Sequence, residues 1–433
     1  FLYFIGTRMR RAVAVLSIVA AFLAASAAAY NNGRGALPPK GWNTWCTYDI
    51  CGAIDKCSDA EVRQQALALV TTGLKDLGYD YVNMDDCWSA KDRDANGNLQ
   101  PNAERFPFGM KALADYVHSL GIKIGVYTCV GTHTCRNGLP GSFGHYEQDA
   151  AQLAAWGIDF VKSDNCNRPS GYSETELYRN FSTALNATGR PMLFSLCEWG
   201  DDDVLSWGHK YGQMFRVQMD HLPLYNLPLP LAAGKGFGQG TRNIIDYVAT
   251  IRPSSFVRQY GWLDPDFLMT LFWPTMTERY SRVELTFWSA WSAPMIVATQ
   301  ISNMTDEKRA LLNNSEILAV NNDATYTGAD FVKNVSGGAV QLWSRPMANG
   351  DAVVIIANLN DYLWKEPGAS VAVQWADFGL VGESVSAVRD LWEQRNLAPT
   401  EFTNTSYSTY LNATEVRYFR VTCAEPPCSL AGR

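Results

Sequence analysis

The chain is poor in histidine and in positive charge. Its 433 residues include 5 His, and 36 Lys and Arg stand against 43 Asp and Glu, for a net charge of -7. Without a basic stripe there is nothing to neutralise a run of phosphates, so nucleic acid is excluded as a partner. His118, His133, His145, His209 and His221 form no pair at metal-ligand spacing, and no cysteine pairs suggest zinc, so neither a metal nor a cofactor is expected. Short-period repeats and long low-complexity tracts are absent, which excludes a solenoid or a largely disordered chain. Long apolar runs are also scarce. The main one, Ala12 to Leu23, follows Arg10-Arg11 and precedes a small-residue run from Ala24 to Ala29. That order is a charged n-region, an apolar h-region and a cleavage-like tail. It is too short for a confident membrane span. Residues 1–29 therefore read as a signal peptide with an upstream extension before Met9, the expected start. The expected destination is the extracellular space, or alternatively a vacuole or lysosome, with no membrane contact after cleavage.

What is abundant is apolar and aromatic. At 47% hydrophobic, with 14 Trp and 20 Tyr, the chain can build a large core and still present flat rings to a ligand. Secretion makes disulfides permissible for the 10 Cys. N-x-S/T acceptor sites at Asn180, Asn186, Asn303, Asn313, Asn334, Asn404 and Asn412 fit a glycoprotein.

Five apolar runs end in acids. Val82-Asn83-Met84 leads to Asp85-Asp86, and Phe160-Val161-Lys162 leads to Ser163-Asp164. Leu193 to Cys197 leads to Glu198-Trp199, Phe215 to Met219 leads to Asp220, and Gly261-Trp262-Leu263 leads to Asp264-Pro265-Asp266. Continuous apolar runs are the pattern of parallel strands buried on both faces. Strand-like runs recur at 79–87, 121–129, 157–166, 191–199, 213–220, about 259–263 and 293–299, with helical stretches such as 59–77, 109–120 and 147–156 between them. Alternating strands and helices over residues 37–325 predict a (β/α)8 TIM barrel, whose strand ends share one pocket. From 330 to 433 the pattern changes to short strands and turns, which predicts a small antiparallel β-sandwich domain. The stretch 221–258 interrupts the rhythm with Pro and Gly and reads either as a wall of the outer site or as a surface insertion.

Converging carboxylates suit chemistry on a neutral polyol such as a sugar. Glycoside hydrolysis needs one carboxylate as nucleophile or base and another group as acid. Lys162 lies two residues before Asp164, on the same side of a strand, where its ammonium would keep the carboxylate ionised. Asp220 ends an apolar run, a setting that would raise its pKa and suit an acid. The pattern alone does not force this division of labour. Asp85, Asp86, Glu198 and Asp266 are candidates to accept hydrogen bonds from hydroxyls.

Residues 38 to about 325 resemble family 27 of the glycoside hydrolases, the α-galactosidases and α-N-acetylgalactosaminidases. The matching pieces are Gly41-Trp42-Asn43-Thr44-Trp45, Asp85-Asp86-Cys87-Trp88, Gly125-Val126-Tyr127, Pro140 to Gly144, Lys162 to Cys166, Cys197-Glu198-Trp199-Gly200, Arg216 with Asp220, and Trp262 to Asp266. The resemblance implies a retaining α-galactosidase acting on galacto-oligosaccharides or galactomannan. Asp164 would be the nucleophile and Asp220 the acid/base, with carboxyls roughly 5–5.5 Å apart. It further implies that Asp85 and Asp86 hold the 4- and 6-hydroxyls, that Lys162 and Tyr127 line the ring, and that Trp45 packs on its apolar side. Arg216 and Asp266 would hold the 2-hydroxyl side, and Glu198-Trp199 would fill the space an N-acetyl group needs. A β-L-arabinopyranosidase, an α-N-acetylgalactosaminidase and an inactive galactose-binding lectin-like protein are the alternatives. Four positions depart from the family pattern near the pocket: Ser163, Met219 within Met219-Asp220-His221, Leu263 and Phe267. The family pattern also implies disulfides Cys46–Cys87, Cys51–Cys57 and Cys135–Cys166, and Cys423–Cys428 flank a short C-terminal loop. Cys129 and Cys197 are left as buried thiols.

Overall fold

The apolar runs that end in acids become the staves of a barrel. The computed structural model describes residues 30–227 and 238–430; the signal-like segment and residues 228–237 of the Pro- and Gly-rich stretch lie outside them. Eight strands, β1 (Lys40–Asn43), β2 (Tyr79–Asn83), β3 (Lys123–Cys129), β4 (Phe160–Asp164), β5 (Leu193–Cys197), β6 (Met214–Arg216), β7 (Trp262–Asp264) and β8 (Met295–Val297), pair in parallel in the order 7-6-5-4-3-2-1-8. The two edges meet through Leu268, four residues past β7. Its N–H donates to Ile296 O at 2.9 Å and its carbonyl accepts from Ala298 N at 3.0 Å. The expected (β/α)8 fold is present. The acids leave the strands at different points: Asp85, Asp86, Glu198, Asp220 and Asp266 lie in loops beyond the ladder, whereas β4 ends on Asp164 and β7 on Asp264.

Ten helices are described, and the early ones alternate with the strands: α1 (Asp59–Thr71), α2 (Gly109–Ser119), α3 (Tyr146–Trp156), α4 (Glu174–Ala187), α5 (Val204–Tyr211), α6 (Thr241–Val248), α7 (Pro253–Phe256), α8 (Glu278–Ala290), α9 (Asp306–Leu312) and α10 (Ser315–Asn321). Several begin on a side-chain cap. Ser58, Ser173 and Thr277 accept from Glu61 N, Glu176 N and Tyr280 N, which satisfies amide groups the helix itself cannot. The helix expected over 59–77 stops earlier. Gly73 takes φ 79°, and Leu74–Leu77 continue as a 3-10 turn.

The C-terminal domain is antiparallel. Strands β9 (Asp330–Val335), β10 (Val340–Pro346), β11 (Ala352–Asn358), β12 (Ala369–Gln374), β13 (Val385–Asp390), β14 (Arg395–Asn396), β15 (Ser406–Leu411) and β16 (Glu415–Cys423) form a six-stranded sheet, 14-13-16-11-10-9, and a two-stranded one, 12-15. Strand β11 is buried along its whole length, and its period-2 alternation divides it between two cores. Ala352, Val354 and Ile356 face Val371, Val373 and Trp375 inside the sandwich. Val353, Ile355 and Ala357 face the barrel, where Trp343 of β10 packs against Phe287 and Trp291 of and beside α8. Arg345, fully buried, donates across the same seam to Ala290 O at 3.1 Å and Ser292 Oγ at 2.8 Å.

Two of the four expected disulfides pair differently. The bonds are Cys46–Cys51 and Cys57–Cys87, not Cys46–Cys87 and Cys51–Cys57. After β1 the chain doubles back through Tyr48 and Asp49, both at positive φ, and brings the Cα atoms of Cys46 and Cys51 to 3.9 Å. Arg105 then fixes the next turn. Its Nη1 donates to Ile54 O at 2.9 Å, to Cys57 O at 3.1 Å and to Cys87 O, which holds Cys57 against the end of β2. Cys135–Cys166 and Cys423–Cys428 are bonded as named from the sequence, and Cys129 and Cys197 are buried and free.

Candidate active site

Within the barrel, alternation decides which side chains meet. Register pairs Tyr127 with Lys162 and Ser195, and Cys129 with Asp164 and Cys197. These residues form successive inward layers of neighbouring strands, and the upper ones look into a cavity of about 380 Å³ at the strands' C-terminal ends. Trp45, Asp85, Asp86, Tyr127, Lys162, Asp164, Trp199, Asp220 and Asp266 line it. Nine of the eleven site residues named from the sequence are thus brought together.

The two central carboxyls have unlike surroundings. Asp164 is 7% exposed. It accepts from Tyr127 Oη at 2.7 Å and from its neighbour Asn165 N at 3.0 Å. Burial pushes it up to about 6; Lys162 opposes the rise and the charge of Asp220 adds to it. The expected pull of Lys162 toward the ionised carboxylate is present, but burial exceeds it. The direct ion pair of Lys162 is with Asp85, at 3.0 Å, and desolvation outweighs its pull on Asp164. Asp220 is the open one, its side chain 49% exposed and ion-paired to Arg216 Nη2 at 3.0 Å. The expected apolar setting around Asp220 is absent, because the end of its run leaves the barrel wall and meets a guanidinium.

Arg216 lies beneath the floor, almost fully buried. Besides Asp220 it holds Asp266 Oδ2 at 3.1 Å, and its Nη1 donates to Cys197 Sγ at 3.2 Å. Burial works against the charge on Asp266, yet Arg216, Lys162 and the His221 N–H together bring it below the usual carboxylate range. Asp85 Oδ1 accepts Asp86 N at 2.9 Å. Asp86 Oδ2 accepts Arg136 N at 2.8 Å and Asn137 N at 3.2 Å. Asp86 Oδ1 is buried with no hydrogen-bond partner among the described residues, and burial raises its pKa. Among the described residues no three His, Cys, Asp or Glu side chains are grouped to hold a metal ion.

A family model described as Alpha galactosidase A matches residues 37–323, and one described as Alpha galactosidase C-terminal beta sandwich domain matches residues 337–421. The chain belongs to the alpha galactosidase A family. An alpha-galactosidase of Oryza sativa subsp. japonica is 36% identical over 370 residues, covering 86% of this chain and 82% of the relative. The crystal structure of alpha-galactosidase I from Mortierella vinacea matches with a TM-score of 0.83 at 32% identity, covering 92% of this chain and 100% of that one. An alpha-galactosidase of Saccharomyces cerevisiae solved with raffinose matches with a TM-score of 0.80 at 26% identity, covering 91% and 99%.

Against the alpha galactosidase pattern, only one of the four departures reaches the pocket wall. Phe267 lines it, with Lys162 Nζ 4.5 Å from its ring centre. Ser163 faces outward, and its carbonyl accepts from Tyr178 Oη at 3.1 Å. Leu263 is core, and Met219 lies off the lining. Glu198 is also off the lining. It is fully buried, and burial, with Glu174 nearby, raises it well above the usual range. Residues 193, 195 and 197 of β5 face the barrel axis, so 194, 196 and 198 face the helices. Trp199, at φ 63°, turns back into the pocket. The ring of His221 points away from Asp220, donating from Nδ1 to Phe267 O at 2.8 Å and reaching Thr241 Oγ1 at 3.0 Å. Sequence reading missed Arg136, which lines the pocket with its guanidinium 5.8 Å from the Trp45 ring centre. Its neighbour Cys135, at the pocket-side disulfide, is the only signal that points to it.

Proposed function

We propose that this protein hydrolyses terminal α-D-galactosyl residues of galacto-oligosaccharides or galactomannan with retention, Asp164 acting as nucleophile and Asp220 as acid/base. The observation that carries the reading is the asymmetry of the two carboxyls in one pocket. Asp164 is buried and aimed by Tyr127, so it is fixed for attack on the anomeric carbon. Asp220 is open at the mouth, where a leaving oxygen would lie. In the first step Asp164 forms a bond to the anomeric carbon, the glycosidic C–O bond breaks, and Asp220 gives its proton to the departing oxygen. In the second, Asp220 takes a proton from water, which displaces Asp164 and restores the α configuration. The charge of Asp220 adds to the rise that burial gives Asp164, so the attacking carboxylate is the form favoured above about pH 6.

Substrate fit follows from the remaining side chains. Asp85, held by Lys162, and the unpartnered Oδ1 of Asp86 are acceptors for the 4- and 6-hydroxyls of a galactose ring. Trp199 lines the pocket and Glu198 does not, so Trp199 is the member of the pair that would fill the space an N-acetyl group needs. Four disulfides fit an oxidising compartment, so we place the mature protein in the secretory route. The test is a panel of p-nitrophenyl α-galactoside, α-N-acetylgalactosaminide and β-L-arabinopyranoside, with the anomer first released followed by NMR. The expected result is a preference for the α-galactoside and release of α-galactose. Release of β-galactose would overturn the double displacement, and binding of galactose without turnover would leave a lectin.

A further inference from the structure

The C-terminal end of the barrel holds a second cavity, of about 440 Å³, which the proposed reaction does not use. Asp49, Trp273, Met276, Glu278, Gln300 and Glu307 are among its walls. Trp273 is 76% exposed, more than any other large apolar side chain described. Its loop is nevertheless firmly held. Trp273 N donates to Asp49 Oδ1 at 3.1 Å, and Leu271 N donates to Ser281 Oγ at 2.9 Å. The fully buried Glu284 accepts from Met269 N at 2.5 Å and from Thr270 Oγ1 at 2.9 Å. An indole kept in water on an anchored loop loses the free energy its burial would give, and it is a ready face for a ligand.

The surrounding groups select the ligand. A flat apolar ring beside carboxylate and amide acceptors matches a pyranose, whose C–H face is apolar and whose hydroxyls donate. Asp49, Glu278 and Glu307 outnumber Lys308, the one cation among the described lining residues, whose ammonium donates to Thr299 Oγ1 and Gln300 O, so an anionic ligand is disfavoured. Position ties the cavity to the pocket. The loop after β1 gives Trp45 to the pocket and Asp49 to the cavity, and the loop after β7 gives Phe267 to the pocket and Trp273 to the cavity. The Thr275 hydroxyl donates to Pro223 O, so the Trp273 loop also touches the loop that follows Asp220, the side on which a leaving sugar departs.

We propose that this cavity is a distal subsite that takes sugar residues of a neutral substrate chain beyond the bond being cut, one pyranose stacking on Trp273. The proposal rests on the reading of the main pocket as a galactoside site. Asn303, which heads an N-x-T acceptor, also lines the cavity, so a glycan on this side chain is a second source of the same chemistry.

The test uses binding, so that it does not depend on turnover. The full chain carrying Asp164→Asn is titrated with galactose and with a galactosyl-mannopentaose, and indole emission and calorimetry are read. The pentaose should bind about tenfold more tightly than galactose, and adding Trp273→Ala should remove that advantage. Phe108→Ala, which alters an exposed ring elsewhere, should change neither affinity. Equal binding of the two sugars overturns the proposal, as does a Trp273→Ala protein that loses both affinities alike. An advantage seen only after Asn303→Gln assigns the cavity to the chain's own glycan and also overturns it. A sedimentation shift from dimer to monomer in Trp273→Ala, with both affinities unchanged, makes the patch a contact between copies and overturns it too. Pentaose binding that needs Trp273 while galactose alone does not bind would sustain the subsite and sink the galactoside reading of the main pocket.

Discussion

Strand β4 begins just after one aspartate and ends on another, and the two have opposite surroundings. Asp159, at the N-terminal end of the barrel, is saturated. Arg34 Nη2 and Arg190 Nη2 reach its Oδ1 at 3.1 and 2.8 Å, while His118 Nε2 and Ile124 N reach its Oδ2 at 2.7 and 3.1 Å. Asp164, five residues later, accepts from a tyrosine and one amide, and burial together with Asp220 raises it to about 6. One end of the barrel spends its charges on fixing loops and helices in place. The other end keeps Asp164 in a setting that disfavours its charge, and it is cross-linked by Cys57–Cys87 and Cys135–Cys166 instead. A saturated carboxyl is a stability device, and an under-satisfied one in a cleft is a candidate for chemistry.

Exchanging the two positions tests this contrast most strongly. Asp164→Asn should cut kcat on p-nitrophenyl α-galactoside by about 10,000-fold or more while the melting temperature holds or rises. Asp159→Asn should do the reverse: activity per folded molecule holds, and urea unfolding shows a loss of about 2–4 kcal/mol, because two guanidinium groups lose their anion. A selective loss of activity in Asp159→Asn would break the contrast. A weaker probe is Tyr127→Phe, which deletes the hydroxyl that lowers the Asp164 pKa. The expected outcome is a fall in kcat of about 10–100-fold, with the acid limb of kcat/KM moving from near pH 6 to higher pH. A limb that moves down would reverse the assigned role of the bond. The smallest effect is on stability. Folded Asp164 keeps its proton to about pH 6, against about 4 for an unfolded aspartate. The native state therefore binds more protons in that window, and unfolding free energy should fall as pH rises through it. Urea midpoints at pH 4.5 and 6.5 should differ less in Asp164→Asn than in the parent.

Much of this site could be read from the sequence because strand ends are local signals. An apolar run that stops on Asp, as at Val161 to Asp164, names both the strand and the residue at the pocket. The antiparallel domain was legible for the same reason, in Ala352 to Ala357. What could not be read depends on the direction of single residues beyond the ladder. Glu198 continues the outward face of β5 and is buried, while Trp199 reverses at positive φ and reaches the pocket. Asp220 follows an apolar run yet ends half exposed on Arg216. The pairing of Cys46, Cys51, Cys57 and Cys87 was set by a chain reversal at Tyr48 and by the three carbonyls that Arg105 gathers, and sequence spacing does not encode either.

Strand β11 carries a further consequence. Because its alternate residues complete the sandwich core on one side and the barrel's outer layer on the other, neither half of the molecule can open without exposing apolar surface of the other. The two lobes form one cooperative unit, and heating should melt them in a single calorimetric transition. A chain cut at residue 330 would leave Phe287 and Trp291 of the barrel bare, and it would be lost to aggregation before its pocket could be assayed. The C-terminal lobe would thus govern the lifetime of the enzyme, although none of its described residues lines the pocket.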